Sequence, residues 1–311
     1  MKRREFISGA LGCVFAAKLI GTKSILADDA PQISFTFDDF NLFDTPILSA
    51  EQRNRAILEA FRGHSNLKSA IFVAGKYISD ETKREHLRTW SNAGHIIGNH
   101  SYSHLFYPDA SFEAFSCDVL RGEAVVKDFR QFKKIFRFPF LKEGDTAEKR
   151  DRMRQFLKAN EYRNGQVTID ASDWYVDTRL RERLKKELKA NLAPYKSFYL
   201  AHLWERAKYY DDLAQKVLGR RIKHTLLLHH NVVNGLFLAD VLQMFADKGW
   251  KLIDAETAFT DPIFSVAPNI VPAGESVVWA LAKESKKFDK ELRYPGEDGD
   301  YEKAKMDKLG L

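Results

Sequence analysis

The sequence predicts an α/β fold in which parallel strands are joined by crossover helices. Three observations lead there. Short apolar, β-rich runs alternate along the chain with longer stretches of helical period. Polar clusters at 38–39, 137–140, 170–174 and 229–230 each follow a predicted strand, where barrels of this kind carry their chemistry. The chain also has 311 residues, 44% of them hydrophobic, enough for one large domain or two small ones.

In order, Ile33-Ser34-Phe35-Thr36-Phe37 alternates and ends in Asp38-Asp39, the pattern of a strand with two acids at its C-terminal edge. Residues 51–62 have helical period, Lys68 to Val73 forms a second strand, and 80–93 a second helix ending before Gly94. Ile96-Ile97-Gly98 leads into a His-rich turn, 111–129 is a long helix, and Lys134 to Phe138 is a strand. Then come a helix at 147–159, a strand from Gly165 to Ile169, and two helices at about 178–191 and 195–218 that form the largest insertion in the pattern. A buried strand, Thr225 to Leu228, ends in His229-His230; a helix at 236–248 and a strand from Trp250 to Ile253 close the series. The aromatic-rich stretch Phe198 to Tyr210 is at helical spacing, which reads as packing or as the lining of a sugar groove. The expected organisation is an export signal at 1–27, a barrel domain at 28–260 and a C-terminal extension at 261–311.

Residues 1–27 read as a targeting segment. Lys2, Arg3 and Arg4 precede a mildly apolar stretch from Phe6 to Ile20, and Lys2-Arg3-Arg4-Glu5-Phe6-Ile7 resembles a twin-arginine signal. An ordinary Sec signal is the alternative. Lys18 interrupts the apolar run, which is too short to span a membrane. Export, to a bacterial periplasm, is the expected destination, without stable membrane insertion after cleavage. Removing the five basic and one acidic side chains of this segment leaves 44 basic and 42 acidic, a net charge of +2. The high isoelectric point is therefore no sign of a nucleic-acid partner. Cys117 remains as the single cysteine, so no internal disulfide is expected, and its apolar-periodic surroundings predict a core residue.

The candidates for chemistry begin with His100-Ser101-Tyr102-Ser103-His104. Two histidines four apart share one side of a helical turn, so both imidazoles reach one metal. The motif lacks the Glu of a His-Glu-x-x-His metalloprotease, so a carboxylate must come from elsewhere. Asp38-Asp39 supplies candidates: side chains alternate along a strand, so one acid is placed to bind metal while the other faces the reacting water. Arg137-Phe138-Pro139-Phe140 puts a planar guanidinium beside a rigid turn, suited to orienting a carboxylate. Asp170-Ala171-Ser172-Asp173-Trp174 sets acids beside a large aromatic. His229, directly after a buried strand, suits acid–base work, whereas His230 suits a hydrogen bond to the loop. His64, His86, His95, His202 and His224 lack such a context.

The order of the pieces is more specific than any one of them. Thr36-Phe37-Asp38-Asp39, His100 to His104, Arg137 to Phe140, Asp170-x-x-Asp173-Trp174 and Leu227-Leu228-His229 resemble the five-motif series of polysaccharide deacetylases (carbohydrate esterase family four), over about residues 33–260. The resemblance implies a distorted (β/α) barrel of about seven parallel strands. It implies Asp39, His100 and His104 as ligands of a divalent metal, zinc or else cobalt, manganese or nickel. Asp38 becomes the general base, oriented by Arg137, and His229 the general acid, hydrogen-bonded by Asp173. Phe140, Trp174 and Leu227 become substrate-binding, with the backbone N–H at Phe140 holding the oxyanion. The implied reaction is metal-dependent removal of an acyl group from an amino-sugar glycan. Three departures alter the groove: Phe40-Asn41 stand where Gly or Pro is usual, Phe140 where Tyr is common, and His230 where Asp is common. A small amide, formamide or cyclic-imide hydrolase, and a carbohydrate-binding protein without catalysis, remain as alternatives.

Overall fold

The computed structural model describes residues 30–292 and 299–311; the export segment read at 1–27 lies outside them. In chain order the elements are β1 (Gln32–Asp39), α1 (Ala50–Gly63), β2 (Ala70–Val73), α2 (Glu81–Ala93), β3 (Ile96–Asn99), α3 (Phe112–Val126) and β4 (Phe132–Phe136). There follow β5 (Lys142–Gly144), α4 (Ala147–Ala159), β6 (Arg163–Asn164), α5 (Asp173–Lys186), α6 (Ala193–Leu218), β7 (Lys223–His229) and α7 (Val232–Asp247). The chain ends with β8 (Lys251–Leu252), α8 (Ala255–Ala258), β9 (Ala273–Gly274), α9 (Val277–Ser285) and α10 (Asp300–Leu309). Helix starts follow side-chain chemistry: Ser49 and Gln52 form a capping box on α1, and Asp80, Ser111, Thr146 and Asn231 each accept from a first-turn N–H of α2, α3, α4 and α7.

Seven strands form one parallel sheet in the path β6-β4-β3-β2-β1-β7, with β8 also beside β1. The sheet curls with helices outside, the distorted barrel expected. β1 is its axis: β7 pairs with it from Gln32 to Asp38, while β8 takes Gln32–Ile33 and β2 takes Thr36–Asp39. Parallel strands covered on both faces read as continuous apolar runs, and Ile33, Phe35, Phe37, Ile71 and Leu228 are all fully buried.

The strand expected from Gly165 to Ile169 is not one. Gly165 N donates to the Phe136 carbonyl at the β4 side, and Ile169 N to Thr225 O at the β7 side. The segment crosses between the two edges of the sheet and so pairs with neither for long. Cys117 is also corrected: it is exposed, because the buried face of α3 runs through Phe115, Asp118, Val119, Gly122 and Val126 and leaves residue 117 outside. Val277, Val278 and Ala282 of α9 and Met306 of α10 lie in the same hydrophobic core as β1 and β7. No described helix is long and apolar enough to cross a membrane.

The barrel interior is packed around Phe72, whose ring lies 3.9 Å from the Arg137 guanidinium carbon. The ring fits only because glycines flank it: a Cβ on Gly98 would meet it at 2.6 Å and one on Gly165 at 2.5 Å. Gly98→Val is expected to cost about 1–3 kcal/mol by overpacking, read as a lower urea midpoint with an unchanged m-value. An unchanged midpoint would show that the interior has slack.

Candidate active site

The site forms where β1 ends. Alternation should send Asp38 and Asp39 to opposite sides, but Asp39 and Phe40 adopt left-handed backbone, φ 74° and 55°. The chain turns, and both carboxylates reach one imidazole: His100 Nε2 lies 3.8 Å from Asp38 Oδ2 and 3.6 Å from Asp39 Oδ1. Both acids therefore face the same space.

The histidine pair is also held differently from the helical turn expected. Residues 100–104 are loop, with Ser101 at φ 64° and His104 at φ 58°. Side chains impose this shape. The carboxylate of Asp118 on α3 accepts from the N–H groups of Tyr102 and Ser103 and from Ser103 Oγ, while Ser101 Oγ accepts from His104 N. His100 Nδ1–H donates to the Arg137 carbonyl at 2.8 Å, which leaves Nε2 with its lone pair toward the acids. His104 Nε2 lies 3.1 Å from Asp39 Oδ1.

Two charged pairs flank this triad. On one side the buried Arg137 donates to Asp38 Oδ1 at 2.7 Å, to Thr36 Oγ1 at 2.9 Å and to the Gly165 carbonyl at 2.7 Å. On the other, His229 Nδ1–H donates to Asp173 Oδ1 at 2.6 Å. Asp173 Oδ2 accepts in addition from His229 N, Asn231 Nδ2 and Asn234 Nδ2. Sequence reasoning missed Asn231, Asn234 and Asp118, none of which touches the cleft; the Asn-x-x-Asn spacing at the start of a helix is the only local signal for the first two. His230 points away, with Nδ1 3.2 Å from the loop carbonyl of Asn41, Nε2 3.3 Å from the amide oxygen of Asn54, and its ring 4.9 Å from that of Phe40. Two of the departures in the motifs thus contact each other.

The chemistry of the donor set fits a divalent cation. One atom each from Asp39, His100 and His104 lies within 4.8 Å of the others, and Asp39 Oδ1 is buried without a hydrogen bond although His104 is close. Two imidazoles and one carboxylate leave positions for water and substrate. Burial would raise the Asp39 carboxyl, but the imidazole of His104, then those of His229 and His100, outweigh it and hold the group below its usual range. Burial pushes His100 down to about 4 despite Asp38, so its imidazole is neutral at pH 7. His229 goes the other way: burial would lower it, but Asp173, then Asp39 and Asp38, raise it to about 10, so it holds its proton.

A cleft of about 260 Å³ opens above these groups, lined by Asp38, Asp39, His100, His104, Phe140, Leu141, Asp170, Trp174, Leu227 and His229. All ten predicted residues are thereby brought together, with Arg137 and Asp173 standing behind the lining. Phe140 is exposed at the mouth, its ring 4.6 Å from His104 and 5.4 Å from Phe106.

Residues 27–164 match the sequence model of the family described as polysaccharide deacetylase. The chain resembles polysaccharide deacetylases. The deacetylase-like stretch contains Asp38, Asp39, His100, His104 and Arg137, while Asp173 and His229 lie beyond it. No curated protein matches the chain by sequence. Among solved structures, it is similar to a CE4 family pseudoenzyme from Bacillus anthracis, at TM-score 0.53 and 13% identity, over 74% of this chain and 66% of that one. A mutant of that pseudoenzyme with restored enzymatic activity gives TM-score 0.52 at 15% identity, over 74% and 68%. The peptidoglycan deacetylase PdaC from Bacillus subtilis gives 0.48 at 18%, over 74% and 91%. At such identities the first two likenesses establish the fold.

The histidines make stability depend on pH in opposite directions. Burial, with Arg53 adding, lowers His230 to about 3, and burial lowers His95 to about 3. The unfolded chain then binds more protons below about pH 6.5, so each of these two groups costs on the order of 1.4 kcal/mol per pH unit as pH falls. His229, raised instead, contributes stability that is full below about 6.5 and lost as pH climbs toward 10. In chelator, urea midpoints should peak near pH 6.5 and fall on both sides. A flat profile from pH 4.5 to 6.5 would contradict the buried neutral histidines.

Proposed function

We propose that the protein is a metal-dependent hydrolase that removes N-linked acetyl groups from an amino-sugar glycan, acting after export to a bacterial periplasm. The observation that carries the reading is the placing of two differently poised pairs, Arg137–Asp38 and Asp173–His229, on either side of the Asp39, His100 and His104 triad. A divalent metal held by that triad, zinc or else cobalt, manganese or nickel, would polarise the amide carbonyl and acidify the attacking water. Asp38, fixed by Arg137, accepts that water's proton. His229 delivers its proton to the departing amine, which is otherwise a poor leaving group. The C–N bond breaks, and acetate and a free amine leave. Phe140, Trp174 and Leu227 wall the cleft, the aromatic pair offering flat apolar faces to a sugar ring.

A carbohydrate-binding protein without turnover is the second reading, favoured by the likeness to a pseudoenzyme. It leaves the Asp173–His229 pair, whose imidazole is aimed into the cleft, without a purpose, since His229 is not needed to hold metal or sugar.

Acetate release from N-acetylglucosamine oligomers by protein stripped of metal and resupplied with zinc tests the reading. Activity should vanish on stripping and return on resupply. His229→Ala is expected to lower kcat by roughly 10²–10⁴ while metal content stays at the parent level; loss of metal in that variant would overturn the role of His229. Asp38→Asn should abolish turnover and lower the urea midpoint, since it leaves Arg137 unneutralised, while the folded variant still binds sugar. No release despite bound metal would shift the substrate to a small amide or formamide.

The aromatic mouth gives a separate expectation. Phe140→Ala or Phe106→Ala should raise KM roughly three- to tenfold, equivalent to about 0.5–1.5 kcal/mol of ring contact, with kcat little changed. A fall in kcat alone would place these rings outside substrate binding.

A further inference from the structure

Behind the acid side of the site runs α6, the longest helix, and three of its buried residues donate toward the support of His229. Tyr199 Oη–H donates to Asn234 Oδ1 at 2.7 Å. That bond decides which way the amide faces, and Asn234 Nδ2 then donates to Asp173 Oδ2 at 2.8 Å and to the His229 carbonyl at 2.9 Å. His202 Nε2–H donates to the carbonyl of Ala171, and Arg206 Nε–H to that of Asp170 at 3.0 Å. Those carbonyls belong to the turn that presents Asp173, in which Ser172 is left-handed at φ 49°. Residues 199, 202 and 206 follow an i, i+3, i+7 spacing and so share one face of the helix.

We propose that Tyr199, His202 and Arg206 are positioning residues that make α6 the rigid mount of the Asp173–His229 pair. The proposal rests on the reading of His229 as the proton donor. A face that only packed would be apolar, because a buried donor costs free energy unless it is matched. Here Tyr199 Oη–H, His202 Nε2–H and Arg206 Nε–H all go to the same short stretch, either the carbonyls before Asp173 or the amide that holds its carboxylate, while His202 Nδ1 faces Glu302. The Nη1 and Nη2 groups of Arg206 are buried and make no hydrogen bond, so its bond to the Asp170 carbonyl is what its polar end supplies. The insertion at 178–220 thereby fixes the proton donor rather than the walls of the groove.

Tyr199→Phe removes one hydroxyl and tests the chain of contacts in the full-length protein. Its kcat should fall roughly tenfold with KM unchanged, the usual scale for groups that orient a site through another residue. Tyr199→Phe combined with Asn234→Ala should lose no more than Asn234→Ala alone, because the two act through one contact. His202→Gln, whose amide still donates to Ala171, should retain more activity than His202→Leu. The Nδ1 proton of His229, read far downfield by NMR in histidine-labelled protein, should move upfield or broaden in Tyr199→Phe. That signal needs no turnover, so a parent that releases no acetate counts against the deacetylase reading and leaves this test in force. An unchanged kcat in folded Tyr199→Phe, additive losses in the double variant, or, in an inactive parent, an unmoved proton signal overturns the proposal. Should His202→Leu not fold, Tyr199→Phe carries the test.

Discussion

The buried guanidinium of Arg137 is the tie on which the rest of the molecule depends. It reaches from the end of β4 across the barrel interior to Thr36 and Asp38 on β1 and to the Gly165 carbonyl on the closing segment. One side chain thus sets the distance between three parts of the wall. It can stay charged inside only because Asp38 neutralises it and the Phe72 ring lies against it. Removing Asp38 or Arg137 alone would leave the other as an uncompensated buried charge, at a cost of about 3–5 kcal/mol. The pair that aims the proposed base is also the pair that holds the barrel in register.

The site is built by setting proton affinities apart over a short distance. Asp39 is held low by three imidazoles, His100 is kept neutral by burial, and His229 keeps its proton because four hydrogen bonds fix Asp173 beside it. Groups of the same chemical type therefore take different roles. The neutral imidazole suits a ligand and the charged one suits a donor. Left-handed backbone makes these placements, at Asp39, Phe40, Ser101, His104, Phe140, Leu141 and Ser172. Such strain outside glycine collects where surrounding contacts over-determine the chain, and Asp118 shows how, gripping the His100–His104 loop through two N–H groups.

Strand–helix alternation and the order of five short motifs were enough to read the parallel barrel and to collect the residues that line the cleft, Leu141 and Asp170 excepted. Local geometry was not legible. Period-2 and period-3.6 rules assume regular backbone, and they misplace Asp39, whose positive φ turns it onto the same side as Asp38, and the histidine loop, which is no helix. Gly165 to Ile169 looked like a strand because its composition suits extended chain, but its partners lie on two different edges. The residues behind the cleft were hidden for another reason. Tyr199 and His202 carry no motif, and the bonds that link them and Asn234 to Asp173 and its turn join residues between 31 and 61 positions apart along the chain. Cys117 failed on phase, one position off the buried face of its helix.

The pairing of β1 with β7 has a kinetic consequence. Thr36, in β1, bonds Leu226, 190 residues later. Until β7 arrives, β1 offers a bare edge and its apolar residues lack half of their cover. Loop closure over that separation must come before the contacts that reward it, which makes folding slow compared with helical proteins of the same size. A nascent chain that does not yet reach His229 cannot complete this central strand, so folding to the native barrel waits for the 190 residues that separate Thr36 from Leu226 to leave the ribosome.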